Sequence, residues 1–215
     1  MQAPDRWEPA AFERHFFAMP HNAAMAIKST IFKAELSIAD IDHAYYADHA
    51  LTLARHPSET DERMMIRLVA IALQAWKLQA VCNNDGILSF GAGLTDTNEP
   101  DVWLRDFTGQ ARVWVEVGQP EDRPLAKACG KSDEVIVYAY HHAAHVWWKA
   151  LQGKVNRLKK LSVLHIASEQ AQAVAKMAAR TMHLQATIQE GVLMFSSQSD
   201  NVHIEPEVWQ LGEPR

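Results

Sequence analysis

Apolar and polar positions alternate from Ile27 to Ala39. Phe32, Ala34, Leu36 and Ile38 fall on one side, and Ile31, Lys33, Glu35 and Ser37 on the other. Period two over that length predicts a long half-buried strand. After a turn at Ala39-Asp-Ile-Asp42, residues Tyr45 to Arg55 return as a second strand with Ala47, His49, Leu51 and Leu53 on one face. Helix competes over 43–54, because Ala and Leu favour it. His56-Pro57 ends whatever precedes it. Ser58 then reads as the N-cap of a helix running from Glu59 to about Gln79, with Asp61 as a capping-box-like partner. Met65, Ile66, Val69, Leu73 and Trp76 make its apolar stripe. Glu62 falls inside that stripe, and Glu59 lies about 60° off it. Acids near a helix N-terminus also serve the helix dipole, and Glu59 and Asp61 are read that way first.

Alternation returns in two consecutive runs, Glu99 to Asp106 and Arg112 to Gly118, joined by the Gly-containing Phe107-Thr-Gly-Gln110. They predict a β-hairpin. Val102, Leu104, Val113, Val115 and Val117 share one face. If Asp106 pairs with Ala111, the other face carries three cross-strand pairs: Arg105 with Arg112, Trp103 with Trp114, and Asp101 with Glu116. Directly opposed side chains have Cβ atoms ~5 Å apart. Two carboxylates at that range repel unless a cation lies between them, and a divalent ion with oxygen ligands is the fitting one.

The rest of the chain alternates strands and helices. Asn83-Asn-Asp-Gly86 is a turn before a strand at Ile87–Phe90. Pro120 to Gly130 is a helix, with Gly130 as its C-cap and with Arg123 and Lys127 sharing a face. Strands follow at Glu134–Tyr140 and Leu161–Ile166, either side of a helix from Ala143 to Leu151 that ends near Gly153. Ser168 caps a helix from Glu169 to Ala179. Strands Met182–Gln189 and Val192–Ser197 join through a tight turn at Glu190-Gly191, and 202–205 adds one more. The fold class is therefore α/β of mixed type: a central mixed sheet flanked by helices, with further β-hairpins toward both ends. Residues 1–24, punctuated by Pro4, Pro9 and Pro20, read as a loosely held extension, and 25–215 as a single domain.

Composition narrows the function classes. Twenty-one Lys and Arg against 26 Asp and Glu leave a formal charge of −5, so the overall balance advertises neither nucleic acid nor membrane. Eleven His allow that sign to change in mild acid. Cys82 and Cys129 have no metal or redox spacing and suit a reducing, cytoplasmic setting. No run approaches the ~20 apolar residues of a membrane span, and charges interrupt the N-terminus as they would not in a secretory signal. A monomer is the expected state. His141 and His145 are four apart and can share a helix face as zinc ligands, with His142 beside them. Without an HExxH motif or a Cys partner, a structural or surface role is expected for these three.

Several blocks carry a family resemblance. They are Leu51-Thr-Leu-Ala-Arg-His-Pro-Ser-Glu-Thr60, Glu62-Arg-Met-Met65, Glu99-Pro100, Trp103-Leu-Arg105, Glu116 with Gly118 and Pro120, Lys127-Ala-Cys129, Arg180-Thr-Met182, and Leu184-Gln-Ala-Thr-Ile-Gln189 with Gly191. On these the chain resembles the YaeQ family. The order of acids and strands resembles the restriction-endonuclease-like PD-(D/E)XK core. That resemblance implies a Mg²⁺- or Mn²⁺-dependent phosphodiesterase acting on nucleic acid. Asp101, Glu116 and the backbone carbonyl of Val117 would hold the metal, and Glu62, or Glu59, would be the first-helix acid. The lysine expected two residues after the second acid is missing, since Gly118 stands there; Lys127, from the following helix, is its expected replacement. Arg105, Arg112, Gln119 and Arg123 are candidate nucleic-acid contacts. Trp103 and Trp114 could stack on bases, though packing against each other is the expected role. The other class consistent with these residues is a non-catalytic nucleic-acid-binding or regulatory protein on a degenerate nuclease fold.

Overall fold

The computed structural model describes residues 29–213 except 93, 95 and 97. The expected extension at 1–24 and the start of the first strand at Ile27 lie outside the described residues. In chain order the elements are β1 (Thr30–Asp40), β2 (Tyr45–Arg55), α1 (Asp61–Gln74), α2 (Lys77–Cys82), β3 (Gly86–Phe90), β4 (Val102–Asp106), β5 (Ala111–Val117) and α3 (Asp122–Lys131). Then come β6 (Ser132–Ala139), α4 (Ala144–Val155), β7 (Leu161–His165), α5 (Ser168–Ala175), β8 (Thr181–Gln189), β9 (Val192–Ser196), β10 (Asn201–Ile204) and β11 (Glu207–Gln210).

Helix α1 is the hub. Every residue from Met64 to Ala72 is buried, including Arg67. A helix apolar all round must be enclosed on all sides, and here two sheets enclose it. One core cluster joins Met65, Leu68 and Val69 of α1 to Leu36 and Leu184 of one sheet and to Val113 and Ile136 of the other. The expected one-sided stripe is thus too narrow. The helix also starts later and stops sooner than its pattern suggests. Thr60, not Ser58, is the N-cap, its Oγ1 accepting from Arg63 N at 3.2 Å. Ser58 is instead engaged locally with the His56 ring at 2.6 Å. After Gln74 the chain breaks and resumes as the short α2, which ends on Asn83 in the left-handed region at φ 50°.

The first sheet has strand order β10-β9-β8-β1-β2. β1 pairs antiparallel with β2 and parallel with β8, so the two hairpins expected near the chain ends fuse into one sheet. Phe32, Ala34, Leu36 and Ile38 face the core, as their alternation predicts. At the β8–β9 turn both Glu190 and Gly191 take positive φ, 53° and 75°. Their N–H groups donate to the Asp42 carboxylate at 2.7 and 2.9 Å, which ties that turn to the β1–β2 turn.

The second sheet has order β11-β7-β6-β5-β4-β3, parallel across β5-β6-β7 and antiparallel at both margins. Its outer face is covered by α3 and α4 around Trp114, Leu125, Val135, Val137, Leu151 and Val163. Helix α5 packs on α1 between the sheets. Gly130 does not cap α3, which continues to Lys131 and is capped at Ser132. Nor does Gly153 end α4, because burial of Leu151 and Val155 carries the helix through it. Ser168 is the first residue of α5 rather than its cap. Strand β11 was not anticipated: four residues with one pairing partner leave almost no periodic signal.

Candidate active site at the start of the β4–β5 hairpin

The hairpin register holds where both strands are regular. Val102 opposes Val115, Trp103 opposes Trp114, and Leu104 opposes Val113. The two indoles meet edge to face, with centroids 6.2 Å apart, so packing is their role. Beyond Leu104 a bulge shifts the pairing, and Arg105 opposes Ala111 rather than Arg112. The bulge separates two like charges. Arg105 folds over the Trp103 ring at 3.9 Å, while Arg112 turns to Asp133 at 3.2 Å.

At the other end the expected pair of Asp101 with Glu116 is also displaced. Strand β4 begins at Val102, and Asp101 N donates to Val115 O at 3.0 Å. Asp101 is therefore a strand-entry residue, free of the strand's alternation. Its side chain turns toward α1, where it is 1% exposed. Oδ1 accepts from Arg63 Nη2 at 2.6 Å, and Oδ2 accepts from the Val117 amide at 2.7 Å. Arg67 Nε stands 3.8 Å from Oδ1. Glu59 completes the arrangement, accepting from Arg63 at 3.0 Å and from Arg67 at 3.2 and 3.3 Å. Arg67 also donates to Gly91 O at 3.3 Å and lies over the Phe90 ring at 5.0 Å. Two acids and two guanidiniums thus form a closed, buried network at the N-terminus of α1.

The local sequence explains how this network closes. Arg63 and Arg67 are four apart and present one face of α1. Gly91 brings β3 against the Pro100 backbone: a Cβ there would lie 2.0 Å from Pro100 O. That close approach aims Gly91 O at Arg67 and lets Gly91 N donate to Asp101 O at 3.1 Å. On the β5 side, Gly118 has φ +111°. A side chain would meet no atom within 4 Å there, so space is not what selects glycine; backbone conformation is. The turn that carries β5 toward α3 therefore disfavours any side chain at 118, including the lysine that the nuclease resemblance expects there. Gly118→Lys should lower stability by about 1–2 kcal/mol, read by urea unfolding, rather than install a catalytic ammonium. A neutral effect would show that the turn relaxes.

Glu116 is the acid left over. Burial pushes its carboxyl up to about 7; Trp114 Nε1, donating at 2.7 Å, opposes the rise, and the Asp101 charge adds to it. For Asp101, too, burial pushes the carboxyl up, while Arg63, Arg67 and the Val117 amide pull the other way. Asp101 and Glu116 are thus brought within electrostatic reach of each other, with Arg63 acting on both.

The remaining candidates are spread around this centre. Glu62 is only partly buried, on the side of Tyr140, whose hydroxyl burial pushes up. The acid aimed into the protein is Glu59, 4% exposed, which the helix-dipole reading undervalued. Lys127 is exposed and donates to Asn98 Oδ1 at 2.5 Å, which places it at the 91–99 loop leading into Asp101. Arg123 is exposed on the same helix. Gln119 is half-buried, its Nε2 without a partner among the described residues. Arg63, Arg67 and Tyr140 were missed. A signal for Arg67 existed: a charge inside the unbroken run Met64–Ala72 has no solvent face to occupy.

Of the three histidines after β6, His141 lies against Tyr140, with ring centroids 4.2 Å apart. His145 lies with His165 and Glu207.

Comparison with known proteins gives a consistent result. The sequence model described as YaeQ protein matches residues 25–206. The uncharacterized protein YaeQ of Escherichia coli (strain K12) is 42% identical over 187 residues, covering 86% of this chain and 98% of the relative. The uncharacterized protein YaeQ of Salmonella typhi matches at the same identity and coverage. The crystal structure of YaeQ protein from Xanthomonas axonopodis pv. citri superposes with a TM-score of 0.77 at 40% identity, over 85% of this chain and 98% of that one. The crystal structure of YaeQ protein from Pseudomonas syringae superposes at 0.78 with 29% identity, over 86% and 97%.

Proposed function

The chain belongs to the YaeQ family, and we propose that it is a metal-dependent phosphodiesterase acting on nucleic acid, built on a PD-(D/E)XK nuclease-like core. The supporting observation is the surplus carboxylate. Glu59 and Asp101 are matched by Arg63 and Arg67, whereas Glu116 stands beside Asp101 with a carboxyl pushed up to about 7. A partly buried acid whose carboxyl is pushed up by burial and a neighbouring charge gains from an added cation. All the donors are hard oxygens, which suits Mg²⁺ or Mn²⁺. Asp101, Glu116 and the Val117 carbonyl would hold the ion, whose chemistry is to polarise a phosphoryl oxygen and activate water.

This chain's own residues supply the rest. Arg63 orients Asp101 and opposes the rise that burial imposes on its carboxyl; its planar fork equally suits a phosphate. Lys127, exposed on α3 and bonded to Asn98, would supply the ammonium that position 118 lacks. Arg123, exposed, and Arg105, held flat on Trp103, offer charge to a phosphate backbone. Arg112 is committed to Asp133 and contributes less.

A non-catalytic protein on the same fold is the second reading. The closed Glu59–Arg63–Asp101–Arg67 network favours it, since Arg63 already neutralises the strand acid. Calorimetry separates the two. The wild-type protein should bind Mn²⁺, and both Asp101→Asn and Glu116→Gln, checked for folding by circular dichroism, should lose that binding. With Mn²⁺ the wild type should cleave DNA or RNA, and Lys127→Met should cut the rate by about two decades. Mn²⁺ binding with no cleavage of either nucleic acid, single- or double-stranded, would favour the second reading. Absence of Mn²⁺ binding would refute the metal site.

A further inference from the structure

We propose that His145, His165 and Glu207 form a binding site for a transition-metal dication of the zinc type, separate from the Asp101–Glu116 centre. Their ligand atoms all lie within 4.8 Å of one another, and among the described residues no other His, Cys, Asp and Glu trio is so placed. Three elements distant in sequence supply them: the first turn of α4, the end of β7 and the start of β11. Glu207 is the direct cross-strand partner of His165. Convergence from three elements is not produced by local sequence, so a helix-spacing search through His141 and His145 could not find it.

The geometry suits an ion better than a hydrogen bond. His165 Nδ1 stands 3.4 Å from Glu207 Oε2. That is long for a charge-assisted hydrogen bond, normally ~2.8 Å. It equals the ligand-to-ligand edge, about 3.4 Å, of a tetrahedron with ~2.1 Å bonds. The His165 ring is fixed by stacking on Trp209, with centroids 4.5 Å apart and planes 12° apart. His145 leans on both rings, 4.8 Å from His165 and 4.9 Å from Trp209. Trp148 extends the aromatic wall, 5.9 Å from Trp209. His145 and Glu207 are exposed and His165 is partly buried. One ring is therefore anchored, two ligands are free to close the remaining gap by side-chain rotation, and a fourth position faces solvent. Two imidazoles and one carboxylate favour Zn²⁺, Ni²⁺ or Cu²⁺ over Mg²⁺.

The test uses untagged full-length protein titrated calorimetrically with Zn²⁺ in 5 mM Mg²⁺, about the level that saturates a carboxylate site. Binding of Zn²⁺ should persist in that Mg²⁺ and in Asp101→Asn. It should weaken at least about tenfold in His165→Ala and in His145→Ala, and remain in His183→Ala, which removes a histidine elsewhere. Cu²⁺ should quench tryptophan emission in the wild type, less so in Trp209→Phe, and its electron paramagnetic resonance spectrum should show coupling to two nitrogens. Zn²⁺ affinity unchanged in both His165→Ala and His145→Ala, or Zn²⁺ displaced by Mg²⁺, would overturn the proposal. The Mn²⁺ experiment on Asp101 and Glu116 reports on other residues, so either site can fail alone.

Discussion

Arg67→Met should unfold at a markedly lower urea concentration than the wild type, a loss of about 3–5 kcal/mol. Methionine follows the arginine stem closely and is as good a helix former, so neither shape nor propensity supplies the loss. The loss comes from what remains behind. Arg67 is 1% exposed, and Glu59 faces it with a side chain equally sealed from water. Removing the guanidinium leaves Glu59 to Arg63 alone and leaves Gly91 O without its donor. It also withdraws one of the two cations beside Asp101. A double variant, Arg67→Met with Glu59→Gln, should recover part of the loss, because it removes the stranded charge as well. A single-variant loss under about 1 kcal/mol, the range of an exposed pair, would mean that water reaches Glu59.

Glu116→Gln should make the metal-free protein more stable at neutral and alkaline pH. The sign follows from the carboxyl's position. In the unfolded chain Glu116 ionises near 4.5; in the folded protein burial moves that to about 7. Between those values the unfolded state has already lost its proton while the folded state keeps it. The folded state is therefore progressively disfavoured as pH rises from 4.5, and the penalty is complete above about 7. A displacement of that size corresponds to about 3 kcal/mol at most. Glutamine never ionises, and its Oε1 can still accept from Trp114 Nε1. The two proteins should match near pH 4 and diverge steadily to pH 8 in chelator-treated buffer, measured by urea unfolding. Saturating Mn²⁺ should narrow the gap by stabilising the wild type alone. Parallel curves across that range would mean that Glu116 is hydrated and ordinary.

The alternation of residues in β1, β2, β4 and β5 was enough to place those strands, because period two with one face buried leaves a direct trace in composition. Phe32 to Ile38 shows it best. The enclosure of α1 was less legible. Met64 to Ala72 holds an apolar residue at nearly every position, and a stripe was read where a whole circumference was buried. Sheet membership was not legible at all: β1 beside β8 is a pairing of distant segments, and neither strand's pattern names its partner. In the candidate site, Asp101 and Glu116 are expected as opposed carboxylates, yet Asp101 precedes the strand and its side chain bonds to Arg63 of α1 and to the Val117 amide. Arg63 and Arg67 were passed over because charged residues on a helix usually face water. Their burial is decided by Glu59, at the entry to α1, together with Asp101, which comes from the distant start of β4. His165 and Glu207 were invisible for the same reason.

The pairing of β1 with β8 also fixes an order of events during synthesis. Lys33 must wait for Thr181 before its backbone partner exists. Until then the β1 side of the β1–β2 hairpin is an open edge, and α1 lacks the part of its enclosure that β8 supplies. Contacts this distant in sequence slow folding, since loop closure precedes any gain from pairing. The nascent chain thus carries an unpaired strand edge on β1 until β8 has left the ribosome, and such an edge is a template for pairing with another chain in the interval.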